Sequence, residues 1–126
     1  MTNDRPIFDD KSLRVVISQD GELTFFAAGV DVDYCACGTS FNDAQRRFLR
    51  GLALTIRAYE KRGMAIARLA TPGPKEYADE WDGGSESDAI EIISLRIVDG
   101  QSRIYTDLQK LPFTEIAFRH REAQTP

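Results

Sequence analysis

The sequence predicts an α+β domain, a small antiparallel-rich sheet in the order β-β-β-α-β-β with one main helix packed on it. Three observations predict this. Residues 13–18 and 23–28 carry strand patterning on either side of Asp20-Gly21, residues 43–62 carry a long amphipathic helical pattern, and residues 90–98 are rich in β-branched side chains ahead of a second Asp-Gly pair, Asp99-Gly100. At 126 residues the chain fits one domain and can bury a modest core without disulfides or metal. The expected division is a flexible N-terminal arm over 1–12, one domain over 13–120 with an acidic loop insertion near 71–88, and a tail over 121–126.

Leu13, Val15 and Ile17 alternate with Arg14, Val16 and Ser18, the period-two pattern of a half-buried strand. Asp20-Gly21 then suits a tight hairpin turn, with 23–28 as the return strand. A third short strand is expected over 34–37, ended by Gly38. Thr39, Ser40, Asn42 and Asp43 are candidate helix caps, because each side-chain oxygen can accept from an unpaired amide at a helix start. At roughly 100° per residue, Phe48, Leu49, Leu52, Ile56 and Tyr59 share one helix face, while Arg46, Arg50, Arg57 and Lys61 share the opposite one. Gly63 suits a left-handed helix end, and Gly51, which costs the helix about 1 kcal/mol relative to Ala, marks a close approach.

Beyond the helix, Thr71-Pro72-Gly73-Pro74 must leave helical geometry, because each proline biases its predecessor away from it. A short helix over 75–81 with Pro74 in its first turn and an acidic, glycine-containing loop over 82–88 follow. Residues 90–98 read as a strand with a bulge at Ile92-Ile93, and Asp99-Gly100 as a hairpin returning over 102–107. A final strand over 114–120 starts after the break at Pro112.

The run Asp33-Tyr34-Cys35-Ala36-Cys37-Gly38, then Asp43-Ala44 and the helix from Phe48 through Gly51-Leu52, resembles the HicB-like family of antitoxin-type domains. The resemblance covers residues 13–63 and implies a partial ribonuclease-H-like fold. It also implies a non-catalytic module that covers the active site of a small basic ribonuclease toxin of the HicA type and self-associates as a homodimer. Antitoxins of this kind commonly carry a DNA-binding region after the core, whereas residues 89–120 here read as strands, so direct DNA binding is not expected.

Composition bears on the same question. The formal charge of −4 disfavours general affinity for nucleic acid, which requires clustered Lys and Arg, and favours a basic partner. With no apolar run approaching the ~18 residues of a membrane span, no signal-peptide pattern in MTNDRPIFDD, and only Cys35 and Cys37, a soluble, reduced, cytoplasmic chain is expected.

The favoured partner-binding residues are Glu76, Tyr77, Asp79, Glu80, Trp81 and Asp82, with Glu86 and Asp88 extending the acidic character. Dense acid around aromatic side chains complements a basic protein surface, although a lone tryptophan is as often packed inward. Asp31, Asp33, Arg46, Arg50 and Arg57 are secondary contact candidates. Cys35 and Cys37 share a strand face but lack further zinc ligands, so they are read as small packing residues that let the helix approach the sheet; no metal or cofactor is expected. His120 is read as a surface histidine, since no nucleophile motif accompanies it. Two alternatives stand beside the antitoxin-like inhibitor. One is a stand-alone phage or mobile-element inhibitor of another host nucleoprotein; the other is a metal-dependent nuclease of ribonuclease-H-like type holding its ion through Asp31, Asp33 and a distant acid.

Overall fold

The alternation around Leu13, Val15 and Ile17 becomes strand β1, Ser12–Gln19, the middle of a five-stranded mixed sheet. The computed structural model describes residues 11–95 and 103–121. In chain order the remaining elements are β2 (Phe25–Gly29), β3 (Cys35–Gly38), α1 (Phe41–Lys61), a 3-10 turn (Ile66–Leu69), α2 (Lys75–Asp82), β4 (Ala89–Ser94), α3 (Arg103–Leu108) and β5 (Glu115–Arg121). The spatial order is β3-β2-β1-β5-β4. β1 pairs in antiparallel fashion with β2 and in parallel with β5, and the outer pairs β2·β3 and β4·β5 are antiparallel. The class is therefore α+β as the patterning predicts, with one parallel pair at its centre.

Both faces of the sheet are covered. On one face Leu13, Val15, Ile17, Ile116 and Phe118 meet Phe48, Leu52, Ala53 and Ile56 of α1, all fully buried in the principal core. On the other, Val16, Ala28, Val30 and Ala117 pack with Trp81 of α2. Alternate residues of β1 and β5 thus serve two cores, so the strands are apolar on both sides.

Several expectations are corrected. The β1–β2 connection is a five-residue loop closed by Asp20 N–H donating to the Thr24 carbonyl at 2.7 Å, with Gly21 at φ 95°, and not a two-residue turn; Gln19 pairs with Phe25. Because LTFFAA is apolar at both phases and both sheet faces are covered, its pattern does not choose between the registers. α1 starts two residues earlier than the pattern suggests, where Ser40 Oγ accepts from Asp43 N–H at 3.0 Å. Asp43 reaches back in turn to Thr39 N–H, a reciprocal cap.

β4 pairs with β5 residue for residue from Ala89↔His120 to Ser94↔Glu115, with no bulge at Ile92-Ile93. Those two side chains simply take opposite faces of an edge strand. The Asp99-Gly100 turn lies outside the described residues, and the return strand expected over 102–107 is replaced from Arg103 onward by helix α3. In a helix, Ile104 and Leu108 share the face that packs on the core, and Asp107 reaches Arg57 of α1. Tertiary contact thus overrides the strand propensity of Ile, Tyr and Thr.

Candidate functional site

α2 begins behind Pro74 and ends at Gly83, with Glu76 in the first turn where the helix dipole favours an acid. Tyr77, Ala78 and Trp81, spaced i, i+1 and i+4, form its inner stripe on the second core. Trp81 is only 5% exposed. Trp81 therefore leaves the partner-binding set, and the inward packing weighed beside that reading is what the structure has, because helical geometry turns Trp81 to the sheet together with Tyr77. Tyr77 is half-buried, its ring 6.0 Å from Phe26, and it packs on the same cluster as Cys35. Burial pushes both groups above their usual pKa.

The outward side of α2 carries Glu76, Asp79 and Asp82, all exposed, while Glu80 is partly buried and accepts from Ser18 Oγ at 2.9 Å. Glu86 is exposed in the following loop. Asp88 is not part of this surface: its carboxylate accepts from Arg119 Nε at 3.0 Å with only 8% of the side chain exposed. The same guanidinium donates to the Ser85 carbonyl at 2.8 Å and the Trp81 carbonyl at 3.2 Å. Arg119 thereby fixes the end of α2 and its loop on the sheet. Gly84 leaves room for this guanidinium, since a Cβ at that position would fall 2.1 Å from Arg119 Nε.

The structure separates the secondary candidates. Asp31 accepts from Arg14 Nη2 at 2.8 Å, from Nε at 3.1 Å and from the Arg14 backbone amide at 2.9 Å, whereas Asp33 is exposed. Asp31 is thus engaged in an ion pair, and its hydrogen bonds raise the Arg14 pKa. Among the described residues no three His, Cys, Asp or Glu side chains are grouped as metal ligands. Arg46 and Arg50 are exposed on α1, on the sheet face opposite α2, but Arg57 leaves that stripe. It pairs with Asp107, itself 2% exposed, at 2.8 Å. Burial pushes the Asp107 carboxyl up, yet hydrogen bonds from Arg57 and Lys110 outweigh it and hold it below the ordinary carboxylate value.

Two further expectations change. Cys35 and Cys37 do not let α1 approach the sheet; Ala36 faces α1, and Cys35 packs with the Trp81 cluster on the other side. His120 is not a surface residue but half-buried, stacked on Phe41 with ring centroids 4.9 Å apart. Its Nε2 lies 3.0 Å from Gln45 Oε1, and Gln45 Nε2 donates to Glu91. Such pairs join residues far apart in the chain, so no spacing motif could have revealed them.

A cleft of about 450 Å³ opens at the N-terminal half of α1, between Gln45, Arg46 and Leu49 of α1, Ile93 of β4 and Ile104 and Tyr105 of α3. No helix among the described residues is long and apolar enough to cross a membrane. Compared with known protein families, curated proteins and solved structures, the chain matches none.

Proposed function

We propose that this chain is a non-catalytic protein-binding module that occludes a basic, nucleic-acid-processing partner, as the HicB-like resemblance implies for a small ribonuclease toxin. The observation that carries the reading is the rank of Glu76, Asp79 and Asp82 on the outer side of α2, presented on a helix whose inner side is anchored by Trp81 and whose end is held by Arg119. Carboxylates on an anchored helix present a persistent negative field, which speeds encounter with a positive surface and orients it. Arg46 and Arg50 of α1 lie on the other side of the sheet from this rank.

The inhibitor reading is favoured over the nuclease reading because Asp31 is engaged by three donors of Arg14. The test is affinity capture from the native host with wild-type protein and with a Glu76→Lys, Asp79→Lys, Asp82→Lys variant. Capture of a small basic nuclease by the wild type, lost in the folded variant and weakened by salt, is the expected result. Identical captured sets, or metal-dependent nuclease activity lost on Asp33→Asn, would overturn the reading.

A further inference from the structure

β3 stands at one end of the strand order, beside β2, and it carries both cysteines of the chain. Residues two apart on a strand point to the same face, so Cys35 and Cys37 stand side by side. Their face is the one that α2 covers further inward: Cys35 packs with the Trp81 cluster, and Cys37 is the register partner of Phe26, whose ring lies 6.0 Å from that of Tyr77. Cys35 is half-buried there and Cys37 is exposed. Neither thiol belongs to the principal core under α1.

Two thiols so placed have two chemistries, a disulfide and a shared metal ion. The disulfide is disfavoured, because Cα atoms two apart on a strand are about 6.6 Å apart and parallel Cα–Cβ bonds keep the Cβ atoms nearly as far apart, whereas a disulfide needs them at about 3.8 Å. An ion held between the sulfurs adds a second bond to the bridge and spans that gap. Zinc is disfavoured by its need for four ligands. His120, the single histidine, stacks on Phe41 on the α1 side of the sheet, and among the described residues no three His, Cys, Asp or Glu side chains are grouped as ligands. Cu(I) needs no more than the pair supplies, since this soft monovalent ion selects thiolate sulfur and is satisfied by two donors.

We propose that Cys35 and Cys37 form a two-coordinate site for Cu(I) at the β3 edge. Binding forms two Cu–S bonds and releases one proton from each thiol; the copper stays Cu(I), and the bis-thiolate carries one negative charge. Burial raises the Cys35 pKa, with Asp33 and Cys37 adding negative charge nearby, so the site is held as thiols until the metal displaces the protons. Phe26 and Tyr77 give its inner side an apolar wall, which disfavours hard, water-bearing cations. The exposed Cys37 leaves the outer side open to delivery and removal of the ion. The proposal stands apart from the acidic-face reading, because Glu76, Asp79 and Asp82 take no part in it.

The test is anaerobic titration of the whole, reduced chain with Cu(I) held by the coloured chelator bicinchoninate. The chain should withdraw one Cu(I) per monomer and gain ultraviolet thiolate-to-copper charge-transfer absorption. Cys37→Ser should lower the affinity by about a hundredfold or more, while thermal melting stays near wild type because residue 37 is exposed. Cys37→Met, which restores a soft sulfur donor, should recover part of that loss. No copper withdrawn from the chelator, an affinity unchanged in Cys37→Ser, or one ion held between two chains instead of within one would each overturn the proposal.

Discussion

The Arg119 guanidinium lies over the Trp81 ring, 5.8 Å from its centroid, while bonding to Asp88, Ser85 and the Trp81 carbonyl. One side chain from β5 thus connects the sheet to the end of α2 and to the loop that follows. The acidic residues of α2 point outward because this connection and the burial of Trp81 leave the helix one orientation.

Arg119→Ala should destabilise the domain by about 3 kcal/mol, because it leaves the nearly buried Asp88 carboxylate without its cation and removes the donor to the Ser85 and Trp81 carbonyls. Fluorescence of Trp81, the single tryptophan, should shift to the red as water reaches the ring. Replacing Arg119 and Asp88 together should cost less than the sum of the separate changes. Strict additivity in urea titrations would show that the contact carries no coupling.

The Arg57–Asp107 pair gives a second expectation, with a defined pH sign. Arg57→Ala leaves a carboxylate that is 2% exposed with Lys110 as its remaining charged partner among the described residues, and should cost about 3 kcal/mol at neutral pH. Asp107 has a lowered folded pKa, so its stabilisation is complete above the ordinary carboxylate value and disappears as pH falls through the folded one. Asp107→Asn should therefore flatten the acid limb of the stability profile, measured by urea denaturation from pH 7 to pH 3. An acid limb as steep as the wild type's would remove Asp107 from its causes.

The main helix was legible in the sequence because α1 has one solvent face and one core face, and its buried residues Phe48, Leu49, Leu52 and Ile56 are those its periodicity marks. α3 was not, since Ile104, Tyr105 and Thr106 favour a strand locally and only packing against α1 decides otherwise. The hairpin register failed for a different reason. Phe25 and Phe26 both find apolar cover, one in each core, so alternation carries no information there. Of the candidate site, the acids were readable from composition. The inward turn of Trp81 was readable too, from its spacing four residues after Tyr77. Nothing local announces Arg119, His120 or Asp107, whose partners come from other elements.

Gly51 offers a test of close packing between α1 and the chain entering β3. A Cβ there would fall 1.7 Å from Tyr34 Oη and 2.9 Å from Cζ, and the ring is held by an edge contact with Phe48 at 5.2 Å between centroids. Gly51→Ala should destabilise by about 1–2 kcal/mol, the strain exceeding the roughly 1 kcal/mol of helix propensity that alanine restores. Tyr34→Phe removes the nearest atom and should recover part of the loss. A stabilised Gly51→Ala protein would mean that the ring moves aside without cost.

His120 is the single histidine, so its ring protons give one resolvable titration by NMR. Burial between β5 and α1 lowers its pKa from the ordinary value of 6.5, against an opposing pull from Glu91. Because Gln45 Nε2 is committed to Glu91, Gln45 Oε1 faces the imidazole, and the neutral ring donates from Nε2. The folded state disfavours the added proton, so the stability it contributes is complete above pH 6.5 and is lost as pH falls toward the lowered folded value. Urea stability should accordingly decline from pH 7.5 to pH 5.5, and less steeply in His120→Gln. An NMR midpoint above 6.5 would show that Glu91 outweighs burial and would reverse the sign.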